Sequence, residues 1–202
     1  RIVGSIVAGF IIVKVGIGFC YMFSGIASLA GMALLIFIKS EFRSSIPNEN
    51  FWLSTSKGLQ YVWSIPIIKR LLLLSLIMET FGFSHLIILP VIAKDVLNVD
   101  AVGLGILSAS SGLGATISTL GVAALGNFKN KGMLLAVTAI SSGVSLIVFA
   151  FSQWFFLSII VVAWIGGSLM AYDVTMGTLL QLMARQDMRG RVLGLYGLTF
   201  GF

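Results

Sequence analysis

The feature that most constrains this chain is a series of apolar runs, each near the length of a bilayer crossing, separated by turns of a few residues. Val15 to Ile38 runs 24 residues without a charge. Leu71 to Ile92, Gly103 to Leu125, Met133 to Ala150 and Trp154 to about Met183 follow. A hydrocarbon core of about 30 Å needs about 20 helical residues at 1.5 Å each. Ile2 to Val13 and Val192 to Phe202 are shorter and read as partial spans, so the chain is expected to be a piece of a longer protein with five complete crossings. The implied fold class is all-α: a polytopic membrane protein built as a helical bundle.

Composition closes off the soluble alternative. The chain is 58% hydrophobic and 10% charged, with mean hydropathy +1.06, whereas soluble domains carry about 25% charged residues. A core of 202 residues cannot hide that much apolar surface from water, so lipid is the expected solvent. The net charge of +6 would suggest nucleic acid in a soluble protein. Here the basic residues flank apolar runs, and no nucleic-acid partner is expected. Cys20 is the lone cysteine and sits inside a run, as a small buried hydrophobe would.

The one long polar stretch is Lys39 to Arg70, with apolar runs on both sides. It divides the chain into residues 1–38, a connector at 39–70, and residues 71–202. Alternation of the crossings puts Arg1, the connector and the turns at 126–132 and 184–191 on one face. That face holds eleven basic residues and the other only Lys14 and Lys94. Positive charge in short loops marks the cytoplasmic side, so the connector is expected inside and Trp154 at the outer interface. Within the connector, Trp52, Leu59, Val62 and Trp63 recur at helical spacing. They predict a short amphipathic helix over 51–64, lying on the membrane or on the cytoplasmic ends of the bundle; an unstructured tether is the alternative.

No enzyme constellation is present. His85 is the only histidine and Cys20 the only cysteine, so no catalytic residues, metal site or cofactor are expected. What stands out is charge at membrane depth. Glu79 lies nine residues beyond Arg70, roughly 13 Å along a helix. A carboxylate there costs at least about 2.5 kcal/mol on insertion scales. It must face a polar cavity, find a partner or keep its proton. Ser75, Glu79 and Gly82 share a helical face and would turn a polar stripe inward. Glu79 reads either as a proton or substrate site or as a structural acid bonded to a neighbouring helix. Asp173 shares a small and polar face with Gly166, Met170, Gly177 and Gln181. It lines a cavity or, being nearer the interface, reaches water. His85 points about 120° away from Glu79 and is expected as a neutral ring hydrogen-bonded near the outer interface. Gly105, Gly112, Gly114 and Gly121 in the span 103–125 would let helices approach closely. Asp187, Arg189, Arg191, Lys129 and Lys131 are loop or gate candidates, although topology alone explains the cations.

Several stretches carry a family pattern. Lys57-Gly58-Leu59-Gln60-Tyr61-Val62 precedes Pro66. Leu89-Pro90-Val91-Ile92-Ala93-Lys94-Asp95-Val96-Leu97 closes the next span. Gly103-Leu104-Gly105-Ile106-Leu107, Ser111-Gly112-Leu113-Gly114-Ala115 and Arg189-Gly190-Arg191-Val192-Leu193-Gly194-Leu195-Tyr196 follow in order. In these the chain resembles the major facilitator superfamily, in its branch of drug, macrolide and siderophore (enterobactin-type) exporters. The resemblance implies two six-helix halves that rock about a midplane site. On that pattern residues 1–38 hold the end of helix 5 and helix 6, and residues 71–202 hold helices 7 to 10 and the start of 11. It departs from the pattern at Asn127, where an acid is common, and before Arg189, where a proline is usual.

The resemblance implies proton-coupled efflux of a small amphipathic compound across the plasma (inner) membrane. The transporter would be a monomer driven by the proton gradient, with Glu79 and Asp173 as coupling acids and Gln181, His85 and Ser75 along the pathway. An importer of the same fold and a non-transporting membrane subunit are the other readings that this stretch leaves open.

Overall fold

A computed structural model describes residues 17–36, 51–126 and 128–200. We label its helices α1 (Ile17–Ile36), α2 (Phe51–Ser64), α3 (Pro66–Val96), α4 (Ala101–Ala124), α5 (Lys131–Ala150), α6 (Phe155–Met183) and α7 (Arg189–Thr199). No strand occurs among the described residues, and the fold is all-α. Four helices, α3 to α6, are long and apolar enough to cross a membrane. The ends of the expected span 15–38 lie outside the described residues; α1 fills its middle. The described side chains of α1, Phe19, Met22, Phe23 and Ile26 among them, are exposed.

Helix α3 is longer than the apolar run predicts. It starts at Pro66 rather than Leu71 because proline suits the first helical turn, where its missing N–H has no partner to lose. Lys69 and Arg70 therefore belong to the helix, where long aliphatic stems can carry their charges out to the interface. At the other end α3 runs through Pro90 to Val96, so the polar turn expected from Ala93 shrinks to residues 97–100. The chain passes the proline into a π turn at Ile92–Val96, and a second π turn, Met78–Gly82, holds Glu79. Asn98 takes positive φ (50°) in the turn. Asp100 then caps α4, its Oδ1 accepting from the Gly103 N–H at 3.0 Å.

Helix α6 is the axis of the bundle. Its most extensive packing is against α4, and α5 covers a further side. The α4–α6 approach is set by absent side chains. A Cβ on Gly114 would collide with the Ala163 carbonyl oxygen, and one on Gly166 with that of Ser111. Gly105 is also buried. Gly121 is different: a Cβ there meets nothing within 4 Å among the described residues. Between α5 and α6, polar side chains bridge: Ser141 Oγ and Ser168 Oγ are 3.2 Å apart, and Trp164 Nε1 donates to Ser141 Oγ at 2.8 Å. Such bonds are worth about 0.6 kcal/mol each where lipid removes the hydrophobic drive between helices.

The connector helix α2 docks on the end of the bundle, but not by the expected face. Val62 is buried with Ile68, Leu180, Ala184, Val192 and Tyr196. A Cβ on Gly58 would touch the Arg191 side chain at 3.2 Å, and the Tyr61 hydroxyl accepts the Arg185 N–H at 3.0 Å. The docking face is thus Gly58, Tyr61, Val62 and Ile65. Leu59 and Trp63 are 49% and 62% exposed, with Lys69 Nζ 3.9 Å over the Trp63 ring. The reason is steric: the neighbouring helix Arg189–Thr199 approaches α2 at its glycine, and residues at i+3, i+4 and i+7 from Gly58 follow it inward. The Trp52 side chain lies outside the described residues.

Candidate functional site

Two features meet around the middle of α6. The first is polar. Glu79 in the π turn of α3 faces Asp173 of α6, and their carboxyl groups are close enough to interact directly. From α7, the Tyr196 hydroxyl donates to Asp173 Oδ1 at 3.2 Å. Tyr172, fully buried beside Asp173, puts its hydroxyl within the field of both acids. Glu79 Oε1 and the Tyr172 hydroxyl are buried with no hydrogen-bond partner among the described residues. Three helices therefore deliver two half-buried acids and two buried phenols to one place. Two ionised carboxylates that face each other across a helix contact repel. A proton between them converts repulsion into a hydrogen bond, so the cluster's geometry depends on its proton count.

The second feature is a cavity of about 520 Å³ between α3, α4 and α6, walled by Phe83, His85, Ser111, Thr116, Leu169 and Met170 among others. It exists because α4 and α6 carry small residues at this level: Gly112, Ala115 and Gly166 also line it. Met170 is three residues before Asp173 on the same helix, so the cavity wall ends about one turn from the acids.

The other expected site residues are placed as follows. Ser75 is fully buried, and its Oγ donates to the Leu72 carbonyl of its own helix at 2.8 Å. Gly82 packs on Leu169, so the stripe of Ser75, Glu79 and Gly82 does face inward. Gln181 is exposed on the last turn of α6. His85 is 4% exposed, and its Nδ1 is 2.7 Å from the Gly82 carbonyl. It stands in the cavity wall, with about 16 Å of α3 beyond it. At the connector end, Asp187 Oδ2 pairs with Arg185 at 3.2 Å, both side chains being mostly exposed. Arg191 Nη1 contacts Met188 Sδ, Lys131 Nζ donates to the Phe128 carbonyl, and Arg189 and Lys129 are exposed. Among the described residues, no three His, Cys, Asp or Glu side chains gather as a metal would need.

Sequence reasoning missed the tyrosines. Tyr172 is adjacent to an intramembrane acid, which is a usable signal. Tyr196 lies 23 residues from Asp173, and only the packing of α7 brings it there.

Apolar crossings, a central helix thinned by glycine and an intramembrane acid pair define a multi-pass membrane protein of the transporter class. The chain belongs to the transmembrane secretion effector family of the major facilitator superfamily, which matches residues 1–201. No curated protein and no solved structure matches it.

Proposed function

We propose that this protein is a proton-coupled exporter of small amphipathic compounds, such as drugs, macrolides or siderophore-like molecules, working by alternating access in the plasma membrane. One observation carries the reading: Glu79 and Asp173, from different helices, face each other about one turn from the cavity between α3, α4 and α6. Protonating the pair lets α3 and α6 close together; losing the proton drives the carboxylates apart. Movement of α3 against α6 would deform the cavity they share, which couples proton binding to substrate occupancy without direct contact between the two. The connector sits on the cytoplasmic side, and α2 fastens the third helix to the ends of α6 and α7.

The test uses the full-length protein in sealed vesicles of both orientations with an imposed pH gradient. Export predicts uptake of a labelled amphipathic compound into inverted vesicles, collapsing when the gradient is dissipated. Glu79→Gln and Asp173→Asn should each lower gradient-driven uptake by at least about tenfold, the equivalent of about 1.4 kcal/mol in the barrier. Exchange of substrate without a gradient should persist. Unchanged driven transport in both variants rejects the coupling role, and uptake only by right-side-out vesicles would make the protein an importer.

A further inference from the structure

Two facing acids that share one proton can hold it in two ways, and the groups around them decide which. Among the described residues, the ionisable groups that act on Glu79 and Asp173 are Tyr196 of α7 and Tyr172 of α6. Their contacts are unequal. The Tyr196 hydroxyl meets Asp173 Oδ1 at 3.2 Å. Glu79 Oε1 and the Tyr172 hydroxyl are both buried, and neither has a hydrogen-bond partner among the described residues.

With the proton on Glu79, Asp173 is the anion and accepts the Tyr196 O–H. The unpaired Glu79 oxygen then belongs to a neutral acid. With the proton on Asp173, Glu79 is the anion, and one of its charged oxygens is buried without a donor. Tyr196 then bonds an uncharged group. A donor favours the charged form of the acid it bonds, and hydrogen bonds to charged acceptors are the stronger ones. An unpaired buried charge is also less favourable than an unpaired neutral oxygen. Both comparisons put the proton on Glu79.

The packing holds Tyr196 in place for this. It is buried in one cluster with Tyr172, Met176, Leu180 and Val192, and its ring meets Phe200 edge-on with centroids 5.0 Å apart. Five residues earlier on α7, Arg191 lies against Gly58 of the connector helix. The phenol is therefore set by its neighbours rather than by the acid it bonds.

We infer that Tyr196 is a positioning residue that holds Asp173 as the anion, so that Glu79 is the acid that loads and releases the proton. This rests on the exporter reading and divides its two acids into separate roles. On release the Glu79 O–H bond breaks, the proton passes to water, and the pair goes from one negative charge to two. Asp173 keeps its charge throughout, and α3, which carries Glu79, is the side whose charge changes.

Infrared spectroscopy of the full-length protein in nanodiscs near neutral pH tests this through the C=O stretch of protonated carboxylic acids. Subtracting the double variant Glu79→Gln, Asp173→Asn isolates the band of the pair. Heavy carbon in the side-chain carboxyl of glutamate should shift that band, and the same label in aspartate should leave it in place. In Tyr196→Phe, measured against the double variant in the same background, the aspartate label should shift part of the band. Tyr172→Phe, which also removes a buried hydroxyl, should keep the wild-type pattern, so loosened packing alone does not produce the change. A wild-type band that follows the aspartate label, or no band at all, overturns the assignment whether or not the variants fold. An unchanged label pattern in Tyr196→Phe overturns the role of Tyr196. Vesicle transport separates this from the parent reading. A glutamate band that depends on Tyr196 in a protein without gradient-driven uptake keeps the proton's position and removes the exporter. Gradient-driven uptake with an aspartate band does the reverse.

Discussion

Tyr172 and Tyr196 approach the same acid and should respond oppositely to the same mutation. Tyr196 donates to Asp173, and a typical net hydrogen bond contributes about 0.5–1.5 kcal/mol. Tyr196→Phe should therefore lower the stability of the detergent-solubilised protein by about that amount. The Tyr172 hydroxyl is buried without a partner among the described residues, and an unsatisfied hydroxyl carries a penalty of about 1–3 kcal/mol. Tyr172→Phe removes the penalty and keeps the ring, so its unfolding midpoint should stay or rise. Thermal unfolding of the two variants decides this; equal losses would mean that both hydroxyls are bonded. The signals at this scale were uneven. Glu79 and Asp173 stand out in any reading because a carboxylate in a hydrocarbon run has no cheap solvation. A tyrosine has no such cost in an apolar run, so its role is invisible until its hydroxyl is located.

Among the elements, α4 and α6 carry the closest contact, and its glycines are not equivalent. Gly114 meets the backbone of α6, whereas a Cβ at Gly121 meets nothing among the described residues. Gly114→Ala must push two backbones apart, an overpacking cost of about 1–3 kcal/mol. Gly121→Ala should be neutral or gain up to about 1 kcal/mol from helix propensity. Unfolding of purified protein compares them, and similar effects at both sites would mean that the α4–α6 crossing is not set by Gly114. The sequence shows a span rich in glycine but not which turn of it touches a neighbour. That depends on the crossing point of two helices far apart in sequence. The same reason explains α2: its amphipathic spacing predicted the helix, yet the inward face runs through Gly58 and Tyr61. Docking partners, not local hydropathy, decide which of several apolar residues turn inward.

For the whole molecule, topology is the property that charge predicts most directly. With the connector cytoplasmic, a cysteine introduced at Lys57 in a Cys20→Ala background should be labelled by a membrane-impermeant maleimide only in inverted vesicles. One at Asp95, exposed in the final π turn of α3, should be labelled only in right-side-out vesicles. The reverse pattern would invert the orientation. Both positions lie outside the acid cluster and the cavity, so labelling reports on sidedness without touching either.

The all-α bundle, the approximate spans and the two intramembrane acids follow from hydropathy and charge, because burying backbone and charge in lipid has few solutions. The sequence also bounded the chemistry, since one histidine and one cysteine leave little from which to build a metal centre. Only the tertiary structure decided that Glu79 meets Asp173, that Tyr196 joins them, and that His85 walls a cavity. Those are contacts between helices, and a helix displays its residues on every side. Which side becomes interior is fixed by where glycine allows two backbones to approach, and that is a property of the pair of helices rather than of either sequence alone.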